Sequence, residues 1–378
     1  MKCEWTTKKI SEIANFSTGK LNSNAAVDNG KYPFFTCAPE PLKIDTYNFD
    51  EKAIILAGNN AEGNFHISFY EGKFNAYQRT YIITSKRENV VDTKYLYYAL
   101  KLCLAEFKAI SQGTTTKFLT ARILSNFEII LPAIYIQNKI AAILSALDEK
   151  IATNRAINEN LERQAQAFFQ ELFVDNADPE WAIGTINDLG AVVGGSTPSK
   201  AKPEYYTETG IAWITPKDLS VNKSKFISHG ENDITELGLK NSSATIMPEG
   251  TVLFSSRAPI GYIAVAAGEV ATNQGFKSIV PKPEIGTAFV YYFLKHNLPI
   301  IEGMASGSTF KEVSGSTMKG VPAVIPDTDT IARFNDFCSP IFAQQRILEE
   351  QNHSLAALRD NLLPKLMSGE VDVSDIQL

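Results

Sequence analysis

Two stretches of the chain carry residues at alternating spacings of three and four, the a/d pattern of a helix that packs along a seam. The first runs through Leu144, Leu147, Ile151, Asn154, Asn158, Leu161, Ala165, Phe168 and Leu172. The second runs through Ile341, Gln345, Leu348, Asn352, Leu355, Arg359, Leu362 and Leu366. Each predicts a helix of roughly 35–40 residues, ~55–60 Å long at 1.5 Å per residue. A helix of that length needs a partner. With a globular domain between them, the two copies are expected to pack antiparallel against each other. Five polar residues interrupt the seam: Asn154, Asn158, Gln345, Asn352 and Arg359. They fit a loosely packed or partly exposed seam, or one whose buried amides select a register. Pro364 is expected to end or kink the second helix, with Ser368-Gly369 as the stop.

The remainder is rich in β-branched and aromatic runs punctuated by Gly, Pro and Asn, the mark of strands and turns. Strands are predicted at 53–57, 81–84, 127–131, 251–255, 262–266 and 277–280, with short helices at 95–107 and 288–296. The class is α+β.

The chain also repeats itself. Tyr97-Tyr98 recur as Tyr291-Tyr292, Leu100-Lys101 as Leu294-Lys295, Gly113 and Lys117 as Gly307 and Lys311, and Pro132 as Pro326, each pair 194 positions apart. The helices obey the same offset through Asn158 and Asn352, Leu161 and Leu355, and Leu172 and Leu366. That period is too long for a solenoid and fits two domains. Near the start the offset changes, Ile13 matching Leu189, 176 positions on. The expected organisation is a first globular domain at 1–132, a helix at 133–180, a second globular domain at 181–330, and a helix with a tail at 331–378.

With 378 residues and 44% hydrophobic content, the chain can build two cores. No apolar run reaches the ~18 residues of a membrane span, and the N-terminus lacks an apolar signal core. The cysteines Cys3, Cys37, Cys103 and Cys338 form neither a metal spacing nor a disulfide pattern, so a reduced cytoplasm is expected. Net charge is −6. By segment the balance is +3 over 1–132, −4 over 133–180, −2 over 181–330 and −3 over 331–378. The acid lies in the helices. Either these are solvated faces, or the helices face protein and leave DNA to the globular parts.

Recognisable reaction chemistry is sparse. Gly58 and Gly63 have the spacing of a phosphate-binding loop, but Asn64 stands where lysine is needed. No dinucleotide fingerprint is present, and His66, His229, His296 and His353 have no metal spacing. Asp50 followed by Glu71-Gly72-Lys73 matches the spacing of metal-dependent nucleases. Glu-Gly-Lys is equally an ordinary hairpin turn.

Motifs in order along the chain carry a family resemblance. They are the Gly210-Ile211-Ala212-Trp213-Ile214-Thr215-Pro216-Lys217-Asp218-Leu219 run, Gly250 to Gly261, Thr272-Asn273-Gln274-Gly275-Phe276, and Leu362-Leu363-Pro364-Lys365-Leu366-Met367-Ser368-Gly369-Glu370. With the repeat, the chain closely resembles the DNA-specificity subunit of type I restriction-modification systems over nearly its whole length. The resemblance implies two similar target-recognition domains, separated by two long antiparallel helices that form a coiled-coil-like spacer with pseudo-two-fold symmetry. It implies a non-catalytic subunit without cofactor or metal. Its partners would be double-stranded DNA, two S-adenosylmethionine-dependent methylation subunits and a motor-nuclease restriction subunit, with no membrane. A self-contained Mg²⁺-dependent nuclease using Asp50, Glu71 and Lys73 is the rival reading.

Base readout in the major groove needs amide, hydroxyl and guanidinium groups, Arg for guanine and Asn or Gln for adenine. The loops carrying them hold Asn59, Asn60 and Asn64; Gln78 and Arg79; Ser256 and Arg257; and Asn273 and Gln274. The two Gly–Lys loops, with Gly113, Thr115 and Lys117 in one and Gly307, Thr309 and Lys311 in the other, recur in both domains. Recurrence suits phosphate contacts, which position a protein without reading sequence. The alternative for each loop is a solvated turn. For Arg257 it is a structural brace to a carboxylate or carbonyl.

Overall fold

The computed structural model describes residues 5–257, 259–307 and 311–377. Contacts divide the chain into two units, Met1–Ile151 with Ser354–Leu378, and Ala152–His353. Each long helix therefore contributes to both. The first helix runs Ile134–Gln170, 37 residues, and ends in a π-helical turn, Glu171–Asp175. The second runs Thr328–Ser368, 41 residues, straight past Pro364. It stops at Gly369, whose φ of 75° only glycine adopts readily. None of the helices among the described residues is long and apolar enough to cross a membrane.

The sheets of the two units share one topology. In the first, Ala14–Thr18, Thr80–Ser85, Phe49–Ala57, Ile67–Ala76 and Tyr32–Phe35 lie side by side, with Leu42–Ile44 added at the edge. In the second the order is Gly190–Gly194, Lys277–Pro281, Val252–Ser256, Ile260–Ala266 and Phe226–Ile227. The last pairing is parallel in both, Phe34 opposite Asn75 and Phe226 opposite Val265. Register agrees as well: Ile54 lies opposite Ile83, and Val252 opposite Ile279. The repeat thus extends through the region where its sequence offset wanders. Two expectations need correcting. The segment Glu71-Gly72-Lys73 is no turn but lies inside the ten-residue strand Ile67–Ala76. The helix expected at 95–107 is two, Thr93–Leu102 and Leu104–Ile110, meeting at Cys103.

The seam positions are buried or half-buried, and their neighbours on the same helices complete the two cores. In the first unit Leu144, Leu363, Leu366 and Met367 join Ile54, Leu56, Ile83, Leu96 and Leu100 in one core. In the second, Ala165, Phe169 and Leu172 join Ile341, Phe334, Val252 and Phe289. Within each unit the helices run antiparallel: Arg359 pairs with Asp148 in the first, and Asn352 with Asn154 and Gln345 with Asn158 in the second.

Of the polar seam residues Asn154 and Gln345 are buried, and Asn158, Asn352 and Arg359 half-buried. Asn154 is 0% exposed and its Nδ2 donates to Asn352 Oδ1 at 3.0 Å. Gln345 Nε2 donates to the Asn158 carbonyl at 3.1 Å, and Asn158 Nδ2 to the Gln345 carbonyl at 3.4 Å. Oδ1 of both asparagines is buried with no partner in the protein, a stability cost of the kind register selection carries. Of the two readings of these residues, the structure favours register selection.

The twin-tyrosine motif, on the short helices Thr93–Leu102 and Thr287–His296, ties each short helix to a long one. Tyr98 Oη donates to Asp148 Oδ2 at 2.7 Å, and Tyr292 Oη to Glu162 Oε2 at 2.9 Å. The second unit adds a buried cation. The Lys225 side chain, 5% exposed, ion-pairs with Glu162 and donates to Gln345 Oε1 at 2.6 Å. Its Nζ lies 4.2, 4.7 and 5.2 Å from the ring centroids of Phe342, Tyr291 and Tyr292. Both carboxylate oxygens of Glu349 accept from backbone, from Lys225 N and Phe226 N. Burial pushes the Glu162 carboxyl up, but Lys225 and Lys295 outweigh it and hold it at about 2.

A depressed carboxyl stabilises the fold above its unfolded value near 4.5 and loses that contribution as pH falls toward 2. Replacing Glu162 with Gln strands Lys225, and should cost about 3 kcal/mol at neutral pH. The melting-temperature gap between wild type and Glu162→Gln should hold above pH 5 and shrink between pH 4.5 and 2. A gap independent of pH would show that the pair contributes nothing ionic.

Candidate nucleic-acid interface

The two Gly–Lys loops are closed by the same pair of backbone bonds. In the first unit Gln112 and Phe118 exchange both backbone bonds, at 3.0 and 2.7 Å; in the second Ser306 and Glu312 do so, at 3.1 and 2.9 Å. Gly113 and Gly307 sit at φ 108° and 129°, a region side chains disfavour. The residue after each hairpin hangs it on the end of a central strand. Leu119 N donates to the Gly58 carbonyl at 2.9 Å, and Val313 N to the Ser256 carbonyl at 3.0 Å. A second pair of bonds ties that strand end to the next turn: Gly58 N to the Arg79 carbonyl at 2.8 Å, and Ser256 N to the Gly275 carbonyl at 2.7 Å. These bonds put Asn59 in the place of Arg257, Gln78 in the place of Gln274, and Arg79 in the place of Gly275.

In the first unit the candidate residues come together. Asn59 pairs with Phe118 and Asn60 with Lys117 as a short antiparallel bridge. The Arg79 guanidinium lies over the Phe118 ring, 5.4 Å from its centroid. Gln78 Nε2 donates to Asn22 Oδ1 at 2.9 Å, and Cys37 Sγ to Asn59 Oδ1 at 2.8 Å. Asn60 Oδ1 accepts from the backbone of Glu62 and Asn64 and so shapes its own loop. A Cβ on Gly63 would lie 3.2 Å from the Cγ atoms of both Lys108 and Lys117, so two lysine stems cross there. Thr115, Gln78 and Arg79 are exposed, and Lys117 is half-buried.

In the second unit, Arg257, Asn273 and Gln274 line one open cavity of about 650 Å³, together with Thr197, Lys200 and Lys217. Thr197 Oγ1 donates to Gln274 Oε1. Asn273 Oδ1 accepts from Gly275 N at 2.8 Å and holds the turn. Ser256 differs from its neighbours: it is fully buried and its hydroxyl donates to the Gly275 carbonyl at 3.1 Å, so it braces the strand end. Arg257 Nη1 lies 3.6 Å from Glu312 Oε2, and Lys277 Nζ 3.5 Å from Glu312 Oε1. Lys311 is exposed, and Thr309 lies outside the described residues. Lys108, Lys200, Lys217 and Glu312 were not singled out from sequence. Lys200 and Lys217 reach the cavity from the long insertion before Val252, which no repeat offset could align.

The register sets Asp50, Glu71 and Lys73 on one face of two paired strands, without, among the described residues, a third carboxylate or histidine to hold a metal with them. Asp50 stands directly opposite Lys73, and Glu71 opposite Lys52, on two paired strands. Each acidic residue thus stands opposite a lysine in the ladder, and the Lys73 Nζ lies 4.8 Å from the Tyr47 ring centroid. Among the described residues no group of three His, Cys, Asp or Glu is placed to hold a metal ion.

The family model described as the type I restriction modification DNA specificity domain matches residues 2–163 and 179–355. The chain belongs to that family. Over 191 residues it is 39% identical to the MjaIX specificity subunit of Methanocaldococcus jannaschii, covering 48% of this chain and 44% of that protein. Over 402 residues it is 23% identical to the HindI specificity subunit of Haemophilus influenzae, covering 85% and 87%. The chain spans less than half of the MjaIX subunit and 36% of the EcoDI specificity subunit of Escherichia coli. Its fold matches the crystal structure of the type I S subunit from M. genitalium, with TM-score 0.65 and 19% identity over 97% of this chain and 96% of that one. The duplicated hairpin therefore lies on two specificity domains.

The hairpin's glycine is a direct point of attack. A Cβ on Gly113 would lie 2.0 Å from the Thr116 carbonyl oxygen. Gly113→Ala should cost about 1–3 kcal/mol locally and release the Gln112 and Phe118 amides to hydrogen exchange. Unchanged protection of those amides would show that the loop tolerates the side chain.

Proposed function

We propose that this chain reads a bipartite DNA target, one short sequence with each unit, and leaves the bases between unread. The observation that carries it is the pair of hairpins: one backbone frame, repeated on two sheets of one topology, bordered by different side chains. A frame kept constant suits phosphate, which is the same everywhere. Borders that differ suit bases, which are not. In this reading the first domain at 1–132 and the second at 181–330 each face one half-site, with the helices at 133–180 and 331–378 setting the spacing. The half-sites would be centred about one helical turn, ~10 bp, apart.

Lys117 and Lys311, with the Thr115 and Thr309 hydroxyls and the backbone at Gly113 and Gly307, contact phosphate. Asn59, Asn60, Gln78 and Arg79 face one half-site, and Arg257, Asn273 and Gln274 the other, with Ser256 acting through its backbone. The chain performs no reaction itself. Two methylation subunits carrying S-adenosylmethionine dock on it and modify the target, and a motor-nuclease subunit cleaves unmodified DNA, all in the cytoplasm. The acidic helices, −4 and −3 in net charge, suit protein docking better than DNA.

Replacing residues 181–330 with the corresponding domain of another family member should change one half-site only, read by mapping methylated bases in a host genome. A change in both half-sites, or a contiguous target, would overturn the bipartite reading. Lys117→Ala and Lys311→Ala should each weaken binding of the assembled complex equally on target and non-target DNA. Each should also lower the salt slope by about one unit, as one lost phosphate contact does. A lysine variant with altered base preference and an unaltered slope would refute the phosphate assignment.

A further inference from the structure

The two hairpins are closed by the same backbone bonds but by different side chains, Phe118 in one and Glu312 in the other. Each closing residue lies against an arginine that the other unit lacks at that place. Arg79 stacks on the Phe118 ring; Arg257 faces the Glu312 carboxylate. The arginines come from different strand ends. The correspondence set by the backbone puts Gly275 where the first unit has Arg79, and Asn59 where the second has Arg257. Two unrelated routes thus deliver one guanidinium to the same closing position.

An arginine reads guanine with a planar, two-pronged edge, so its value depends on how the plane is held. A phenyl ring beneath the guanidinium fixes the plane and occupies none of its N–H donors. A carboxylate at one nitrogen fixes the direction and leaves the opposite edge free. Either restraint removes rotamer freedom before DNA arrives. Glu312 brings a negative charge to a face that must meet phosphate. Lys277, its Nζ 3.5 Å from the second oxygen and only 15% exposed, offsets that charge.

We propose that residues 118 and 312 are positioning residues that aim the base-reading arginine of their unit, Phe118 by stacking under Arg79 and Glu312 by pairing with Arg257. The inference rests on the reading of these arginines as base contacts given above. Recognition then resides in a pair of positions in each unit, and exchanging the arginine alone moves half of a device.

The test uses the chain assembled with its methylation subunits and a library of half-sites scored by methylation. Arg257→Ala and Glu312→Gln should relax the same single base pair of the same half-site, each by about tenfold. The double variant should lose no more than Arg257→Ala alone. Phe118→Leu should relax the base pair that Arg79→Ala relaxes, while Phe118→Tyr, which keeps the ring, should preserve it. Melting temperatures measured alongside should not follow this pattern. A Glu312→Gln variant that changes no base preference, or weakens all sequences alike, overturns the positioning role and leaves Arg257 as a reader. An Arg257→Ala variant that itself changes no base preference overturns the reading on which the proposal rests.

Discussion

Two helices without cores of their own must meet in one register before anything else in this protein has a place. The hydrogen bonds that the Asn154 amide donates to Asn352 and the Gln345 amide to the Asn158 carbonyl impose that register in the second unit. A slip by one layer would set the buried Asn154 amide against Leu348 or Leu355 and strand its donors, a penalty of about 1–3 kcal/mol. Leucine at these positions would pack more stably and specify less. The short helices Thr93–Leu102 and Thr287–His296 then dock on the long ones through Tyr98 on Asp148 and Tyr292 on Glu162.

The long helices were legible because a seam repeats over many turns, and repetition makes a weak signal strong. The hairpins were legible because glycine with a lysine four residues on recurred at a fixed offset, and only a shared backbone requires that. The strand Ile67–Ala76 was not. Its Glu71-Gly72-Lys73 centre has turn composition, and unbroken antiparallel pairing with Phe49–Ala57 overrode local preference. The buried Lys225 was invisible for another reason. A lysine is buried only when Glu162, Gln345 and three aromatic rings converge on it, and those partners come from distant segments. Pro364 does not end its helix, whereas Ser368-Gly369 is the stop that the sequence indicates. The helix runs on four residues past the proline, to Ser368.

Among the candidate site residues, sequence composition marked loops but not the way individual side chains in them face. Ser256 has the chemistry to read a base but spends its hydroxyl on the Gly275 carbonyl. Glu312, which no sequence motif marks, sits against Arg257 and Lys277. Loop membership follows from local sequence. Which way a side chain faces depends on the strand end it hangs from, and that is set by pairing between residues about 60 positions apart, as in Leu119 with Gly58 and Val313 with Ser256.

The division into units also bears on how the chain is made. The second unit is one continuous stretch, Ala152–His353, whereas the first combines Met1–Ile151 with Ser354–Leu378. Leu363, Leu366, Met367 and Val373, near the end of the chain, are buried in the core that holds Ile10, Ile54 and Tyr95. A polypeptide leaving the ribosome therefore has all of its second unit before it has all of its first. Until the last residues emerge, the N-terminal sheet stands with part of its apolar face bare, in the condition where nascent chains aggregate or engage chaperones. Synthesis order and folding order run in opposite directions, and the first half-made unit is the last to be finished.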